Sequence, residues 1–329
     1  MNTIVIKPDT KNDNLEVHFN LWNSDSNNLH FLDIGIMCDN KKQKITIEIP
    51  SSKKIKVKDL SNELKEDIRN SIFNCNVDKV TKGAFEILKK SEQKEDMFLL
   101  SPIEIPDVSF GEDLSTFKIE VNETKKEEIE GIEIIKKYIR LRIENLDFSK
   151  FMIKQDSDSR IFESSYTTNT LIDFRFNDYK LLSSAKLQTL KLEKDNYLKV
   201  HFLYMTDVLE NIDICSSTYS VRFLERNIWN RYLGLTERKK DMLAYHLKVE
   251  NCSNASFLIK SQEQKTSVKH LLFYAGVVTY LAIVANFIFS FIPLRNLDSN
   301  IRWIPFAITL FCIVGIPLIL LLLILRKKK

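Results

Sequence analysis

The chain has 329 residues, of which 48 are Lys or Arg and 44 are Asp or Glu, giving a formal net charge of +4. The last 60 residues hold six basic residues and one acidic residue, which leaves 42 basic and 43 acidic residues in the rest of the chain. A nucleic-acid-binding protein is expected to carry a basic excess or a basic face, so the bulk charge indicates no general nucleic-acid binding. The seven glycines are all isolated. This excludes the glycine-rich loops that cradle nucleotide phosphates, and the sequence indicates no cofactor.

The first predicted module, residues 1–125, is rich in strands. Apolar and polar residues alternate along three segments separated by polar turns, namely 15–22, 30–36 and 45–49. Alternation with period two predicts an antiparallel meander with one buried face. Apolar residues recur every fourth position along 59–74, which predicts a helix. A second short helix is predicted over 81–90.

The second predicted module, residues 131–268, is also rich in strands. Alternating segments predict four further strands, at 139–143, 172–176, 198–204 and 243–249. Between the last two strands, an apolar stripe from Val221 to Leu235 predicts a helix that stops near Gly234. No alternation of strands and helices typical of a parallel sheet is present. The fold class expected for the two modules is therefore a mainly β or α+β cytosolic region of antiparallel sheets with a few helices.

The C-terminal residues 270–326 predict an α-helical two-pass transmembrane hairpin. The runs 271–294 and 303–325 are apolar and contain no Lys, Arg, Asp or Glu. Each is long enough for a helix to cross the hydrocarbon core of a bilayer. Basic residues flank the pair on both outer sides, which predicts that both termini face the cytoplasm. The expected location is a bacterial inner membrane, since the Lys-, Asn- and Ile-rich composition fits an AT-rich bacterial origin.

Small and polar residues line one side of the first predicted span. They fall at spacings of three and four residues, which places them on one helix face: Ala275, Thr279, Ala282, Asn286 and Ser290. A seam of this kind lets helices approach closely and hydrogen-bond in lipid. It can serve packing against the second span, or self-association around a polar line that forms a pore.

Two side-chain sets elsewhere are candidates for binding. Arg140, Arg142 and Arg175 lie on predicted strands, where they form either cross-strand ion pairs or an anion-binding sheet face. His201 and His246 lie on predicted strands and approach each other if those strands pair, either as plain surface residues or as a metal or acid–base pair. The five histidines lack the spacing of known metal motifs, so no metal ligand and no catalytic residue is assigned.

The layout, and the anchor Leu271–Leu325 above all, resembles the two-transmembrane effectors of bacterial anti-phage defence, of retron or cyclic-nucleotide type. The resemblance implies a cytosolic region that senses a signal or partner and a hairpin that perturbs the bilayer, with growth arrest as the outcome. The implied partners are the lipid bilayer and either further copies of the chain or a cytosolic protein regulator. The alternative is a membrane-tethered protein- or ligand-binding module with a passive anchor. A third hypothesis, a membrane-bound enzyme, has no motif to support it.

Overall fold

A computed structural model describes residues 3–10, 12, 15–82, 85–90, 97–125, 134–156, 167–181, 198–215, 218–264 and 268–291 of the chain. Most of these residues form strands. The strands are, in chain order, β1 (Val5–Pro8), β2 (Glu16–Ser24), β3 (Leu29–Asp39), β4 (Gln43–Pro50), β5 (Lys56–Asp59), β6 (Val77–Lys82), β7 (Phe85–Lys90), β8 (Met97–Leu100), β9 (Ser109–Gly111), β10 (Leu114–Val121), β11 (Lys136–Glu144), β12 (Met152–Asp156), β13 (Thr167–Phe176), β14 (Leu198–Asp207), β15 (Asn211–Ile214), β16 (Ser220–Phe223), β17 (Met242–Cys252) and β18 (Ala255–Gln264).

The helices are fewer and mostly short. Three α-helices occur in the described residues: α1 (Glu66–Phe73), α2 (Arg226–Leu233) and α3 (Val268–Phe291). Single 3-10 turns lie at Ser61–Glu63, Phe148–Lys150 and Tyr179–Leu181. The helix predicted over 59–74 is therefore shorter than expected, and the helix predicted over 81–90 is wrong, because strands β6 and β7 occupy that region.

A ten-stranded sheet forms the centre of the fold, with the order β16-β17-β14-β2-β3-β11-β8-β7-β6 and with β5 also paired to β11. β14 runs parallel to β2, and β8 runs parallel to β11. The other pairs of this sheet are antiparallel. Strands from both predicted modules thus share one sheet, and residues 1–157 and 167–264 fall in one compact unit. The second unit contains α3.

One face of the central sheet packs against two four-stranded sheets, whose orders are β1-β4-β10-β9 and β12-β13-β18-β15. The apolar residues of the alternating pattern point to this face, including Val17, Phe19 and Leu21 of β2. Phe174 of β13 stacks on Phe202 of β14 with ring centroids 4.5 Å apart. Each such fully buried apolar side chain stabilises the fold by about 1.5–3 kcal/mol, so the two layers form the main core.

The opposite face of the central sheet is also covered in part, by α1 and α2. Trp22 of β2, Tyr138 of β11 and Trp229 and Tyr232 of α2 are buried in this second core. α2 ends at Gly234, which has a φ of 68° and donates its N–H to the carbonyl oxygen of Arg231. The polar positions of the alternating strands that lie under these helices are therefore buried as well.

The structure contradicts the two-pass transmembrane hairpin that the sequence predicted. The described residues hold a mainly β structure, and no helix among them combines the length and apolar character needed to cross a membrane. A hairpin requires two antiparallel helices. The first apolar run contributes to α3, while the run 303–325 lies outside the described residues.

Candidate metal centre

The candidate site lies where β2, β14 and β17 adjoin in the central sheet. The parallel pairing of β2 with β14 sets His18 beside His201 and Glu16 beside Lys199. The antiparallel pairing of β14 with β17 sets Leu203 opposite His246, so that His246 lies diagonally across from His201. Because side chains alternate between the two sides of a strand, Glu16, His18, His201 and His246 share one face.

The four side chains form a continuous chain of contacts. His18 Nε2 lies 2.7 Å from Glu16 Oε1, and His201 Nε2 lies 3.3 Å from the same oxygen. On its other side, His201 Nδ1 lies 2.8 Å from His246 Nε2. Lys199 Nζ lies 3.2 Å from the second carboxylate oxygen of Glu16. The Glu16 carboxylate therefore contacts the imidazoles of His18 and His201, and the imidazole of His246 contacts that of His201.

Aromatic residues cover the inner end of the site. His18 is buried, and its ring centroid lies 5.8 Å from that of Tyr138 and 6.1 Å from that of Phe73, the last residue of α1. The side chains of Glu16 and His201 retain 19% and 15% of their exposure. The site is therefore open at its outer edge and closed by aromatic rings at its inner edge.

The electrostatics favour an ionised Glu16 carboxylate beside neutral imidazoles of His18 and His246. Burial opposes the charged form of Glu16, but the hydrogen bond from His18 and the nearby His201 and Lys199 hold the pKa of Glu16 well below its usual range. Burial lowers the pKa of His18 to about 4, although Glu16 acts in the opposite direction. Burial, together with the neighbouring His201 and His18, also lowers the pKa of His246 to about 4. Neutral imidazoles with available lone pairs are the form that binds metal ions.

His201 Nε2 is the most informative atom of the cluster. It is buried, and it makes no hydrogen bond to any described residue, although Glu16 Oε1 lies 3.3 Å away. When His201 Nδ1 donates to His246 Nε2, the lone pair of His201 Nε2 faces the carboxylate oxygen. Two lone pairs facing each other repel, so in this tautomer a cation between the two atoms is favourable, whereas in the other tautomer the Nε2–H points at the carboxylate.

The cluster meets the requirements of a transition-metal site. One donor atom from each of Glu16, His18 and His201 lies within 4.8 Å of the other two. Ligands about 2.0–2.2 Å from a tetrahedral ion are about 3.3–3.5 Å apart, close to the 3.3 Å between Glu16 Oε1 and His201 Nε2. The 2.7 Å hydrogen bond between Glu16 and His18 must lengthen by about 0.6 Å. Two imidazoles and one carboxylate form a donor set that suits Zn²⁺.

The arginines predicted to form an anion-binding face are placed in two regions. Arg140 and Arg142 lie on β11, both buried beneath α2. Arg142 binds Asp33 through two hydrogen bonds, from Nε at 2.7 Å and from Nη2 at 3.1 Å. Arg175 lies on β13 in a different sheet, where its guanidinium pairs with Asp173 and Asp178. Only Arg140 and Arg142 therefore share a face.

The residues of the predicted seam lie on α3. Ala275, Thr279, Ala282 and Asn286 are exposed along this helix. Ser290 falls within the bounds of α3, and its side chain lies outside the described part of the chain. Among the described helices, none packs on this portion of the seam.

Sequence reasoning identified one half of the cluster. The sequence analysis expected His201 to approach His246 if their strands pair, and β14 and β17 do pair. Glu16 and His18 were missed, although the spacing Glu-x-His on a strand places both side chains on one face. The parallel pairing of β2 with β14 brings them to His201, and no local pattern marks that pairing.

Comparison of the chain with protein-family models gives no match, and comparison with curated protein sequences gives none either. The resemblance to anti-phage effectors therefore stays a prediction, and the function must be argued from the site.

Proposed function

We propose that the β-rich region is a ligand-binding module whose ligand is a divalent transition-metal ion of the zinc class. The observation that carries the proposal is the convergence of Glu16, His18 and His201, whose donor atoms lie within 4.8 Å of one another. The buried Nε2 of His201 supports it, because it lies 3.3 Å from Glu16 Oε1 without a well-formed hydrogen bond, and an ion between the two atoms would contact both.

The three protein ligands leave one coordination position for water or a small ligand. Structural zinc sites have four protein ligands, whereas sites with three protein ligands keep an exchangeable position. The partly exposed side of Glu16 and His201 gives that position access to solvent. The proposed module is therefore a site from which a metal ion, or a ligand bound to the metal, exchanges.

His246 has a supporting role in this proposal. A metal-bound histidine usually makes a hydrogen bond through its second ring nitrogen, which fixes the tautomer and the ring orientation. His246 Nε2 occupies that position 2.8 Å from His201 Nδ1. His246 is therefore a positioning residue for His201 and not a fourth ligand.

Metal binding also joins distant parts of the chain. Two ligands lie on β2 and one on β14, which are neighbours only in the folded sheet. An ion held at 100 times its dissociation constant stabilises the folded state by about 2.7 kcal/mol. Of the two functions expected from the sequence, this proposal develops the ligand-binding module, and it supplies a candidate signal for a sensing effector. It makes no use of a membrane hairpin.

The test is a titration of the metal-free, full-length protein with Zn²⁺ by calorimetry, together with the visible absorption of Co²⁺ as a report on coordination geometry. We expect one ion per chain and a tetrahedral Co²⁺ spectrum. Glu16→Gln removes the anionic ligand and should weaken binding by at least about 100-fold, since loss of a mere supporting hydrogen bond already weakens metal binding about 10- to 100-fold.

The matched control is His30→Gln. His30 Nε2 lies 3.3 Å from Asp25, so it is a histidine with a carboxylate neighbour that lies outside the candidate site. We expect the His30→Gln variant to bind Zn²⁺ with the same affinity as the unaltered protein. Equal binding by Glu16→Gln and His30→Gln, or no binding by the unaltered protein, contradicts the proposal.

A further inference from the structure

β16 forms one edge of the central sheet. It stands last in the strand order, and among the described strands it pairs with β17 alone. Just past β16, the Leu224 N–H donates to the carbonyl oxygen of Met242 at 3.0 Å, which makes these two residues a hydrogen-bonded pair of the same ladder. Hydrogen-bonded and non-hydrogen-bonded pairs alternate in an antiparallel ladder. The N–H and C=O groups of Val221 and Phe223 therefore point away from β17, and Tyr219, just before the strand, continues the alternation. These outward groups make no backbone hydrogen bond to another described residue.

The same three residues carry apolar side chains on one face of the edge. Tyr219, Val221 and Phe223 are 48%, 47% and 46% exposed. Val221 and Phe223 lie opposite Tyr245 and Leu243, which face the main core. The ring of Tyr219 lies 6.4 Å from the ring of Tyr245. The apolar face of the central sheet therefore continues past β17 as a row of half-exposed side chains.

Edge strands usually carry charged side chains that prevent pairing with another chain. The opposite edge strand of this sheet, β6, follows that rule with Asp78, Lys79 and Lys82. β16 has a single charged residue, Arg222, whose guanidinium carbon lies 5.8 Å from the centre of the Trp229 ring of α2. Because this guanidinium is directed at α2, it leaves the backbone edge accessible. The two edges of the central sheet thus differ, and β16 is the one that is open to a further strand.

We propose that β16 pairs antiparallel with β16 of a second copy of this chain, about a twofold axis at Val221. This register sets Val221 opposite its own copy and Tyr219 opposite Phe223 of the second copy. It joins outward-pointing backbone groups to each other, as hydrogen-bonded pairs require, and it places apolar side chains opposite apolar side chains.

The polar face of β16 fits the same register. Arg222 lies opposite Ser220 of the second copy, whereas a register centred on Arg222 would set two like charges directly opposite each other, which is destabilising. The strand is therefore complementary to itself, as a twofold interface requires, and a second copy is the partner that its sequence fits. The pairing does not depend on the metal site.

The experiment measures self-association of the full-length protein by sedimentation velocity. A chelator and a reducing agent are present, so that neither a metal ion nor a disulfide joins two copies. We expect a dimer with a dissociation constant of about 1–100 µM, because one short strand pair makes a small interface. Val221→Lys places two ammonium groups opposite each other at the twofold axis and should weaken association by at least about tenfold. The matched control is Val80→Lys on β6, where Val80 is 39% exposed, and this variant should associate as the unaltered protein does.

Two double variants test the register and decide the case if Val221→Lys does not fold. Tyr219→Lys with Phe223→Lys sets like charges opposite each other and should abolish the dimer. Tyr219→Lys with Phe223→Glu sets each lysine opposite a glutamate of the second copy and should restore it. Within one chain the two positions are about 13 Å apart along the strand, too far for an ion pair.

The outcomes separate cleanly. Restored association of the Lys/Glu variant supports the proposal, and equal dissociation constants of the two double variants overturn it. A dimer that Val221→Lys leaves unchanged also overturns it. A monomeric unaltered protein overturns it as well, and the edge of β16 is then open to a strand of a different protein.

Discussion

Gly35 of β3 should not tolerate a side chain, although it lies in the middle of a strand where alanine is otherwise favoured. A Cβ at this position would overlap the hydroxyl oxygen of Tyr138 and lie 2.9 Å from its Cζ. Tyr138 has 0% exposure and cannot swing into solvent. Overpacking of this kind destabilises by about 1–3 kcal/mol, and displacement of the hydroxyl removes a hydrogen bond from Arg140 worth about 1.5–3 kcal/mol. Alanine loses less conformational freedom on folding than glycine does, which offsets about 0.5–1 kcal/mol of this destabilisation.

The net expectation is that Gly35→Ala lowers the free energy of unfolding by roughly 2–4 kcal/mol. That change lowers the unfolding temperature by roughly 5–15 °C for a unit of this size. Chemical denaturation followed by circular dichroism measures it. Gly111→Ala in β9 is the matched control, because a Cβ there meets no atom within 4 Å, and it should be neutral or slightly stabilising. If the two variants unfold alike, Tyr138 does not lie over Gly35 and the packing argument fails.

Three further changes test other contacts. Asp33→Asn should destabilise by about 3–5 kcal/mol, measured by urea denaturation, because it leaves buried Arg142 without its charged partner; an effect below 1 kcal/mol would contradict a buried pair. Gly234→Ala should cost about 1 kcal/mol by thermal unfolding, since the helix ends there at a φ of 68°, and an unchanged midpoint would contradict that end. His246→Ala should weaken Zn²⁺ binding about 10- to 100-fold by calorimetry; unchanged affinity would remove its role in positioning His201.

The strands predicted at 15–22, 30–36 and 45–49 were predictable because each segment alternates strongly. Val17, Phe19 and Leu21 are all buried in the main core, as their spacing indicates. Period-two alternation reports local backbone geometry and so needs no knowledge of the rest of the chain. The prediction failed over 81–90, where β6 and β7 form an antiparallel hairpin. Few apolar residues mark either face of these strands, so their local sequence pattern does not predict a strand. Their conformation is set by the pairing of β6 with β7.

The candidate site could be predicted only in part. The alternating segments located the strands of His201 and His246, but the pairing that brings the two histidines together was only a condition of the prediction. Glu16 and His18 reach them through β2 and β14, which lie far apart in the sequence and pair in parallel. The same holds for Arg140, whose bond to Tyr232 depends on α2 covering β11. Long-range pairing and helix placement have no local sequence signal.

The polar positions of the central strands explain why the candidate metal site arises on the face of the central sheet that α1 and α2 partly cover. An antiparallel sheet with one solvated face can place polar residues at alternate positions without penalty. Here α1 and α2 cover part of that face, so the polar side chains beneath them must find partners inside the protein. Asp33 finds four donors, three at Oδ2 and one at Oδ1. His201 Nε2 makes no hydrogen bond to a described residue, and neither do other buried atoms such as Trp229 Nε1. His201 Nε2 differs from those atoms because it lies close to donor atoms of Glu16 and His18, so that one ion could contact all three residues.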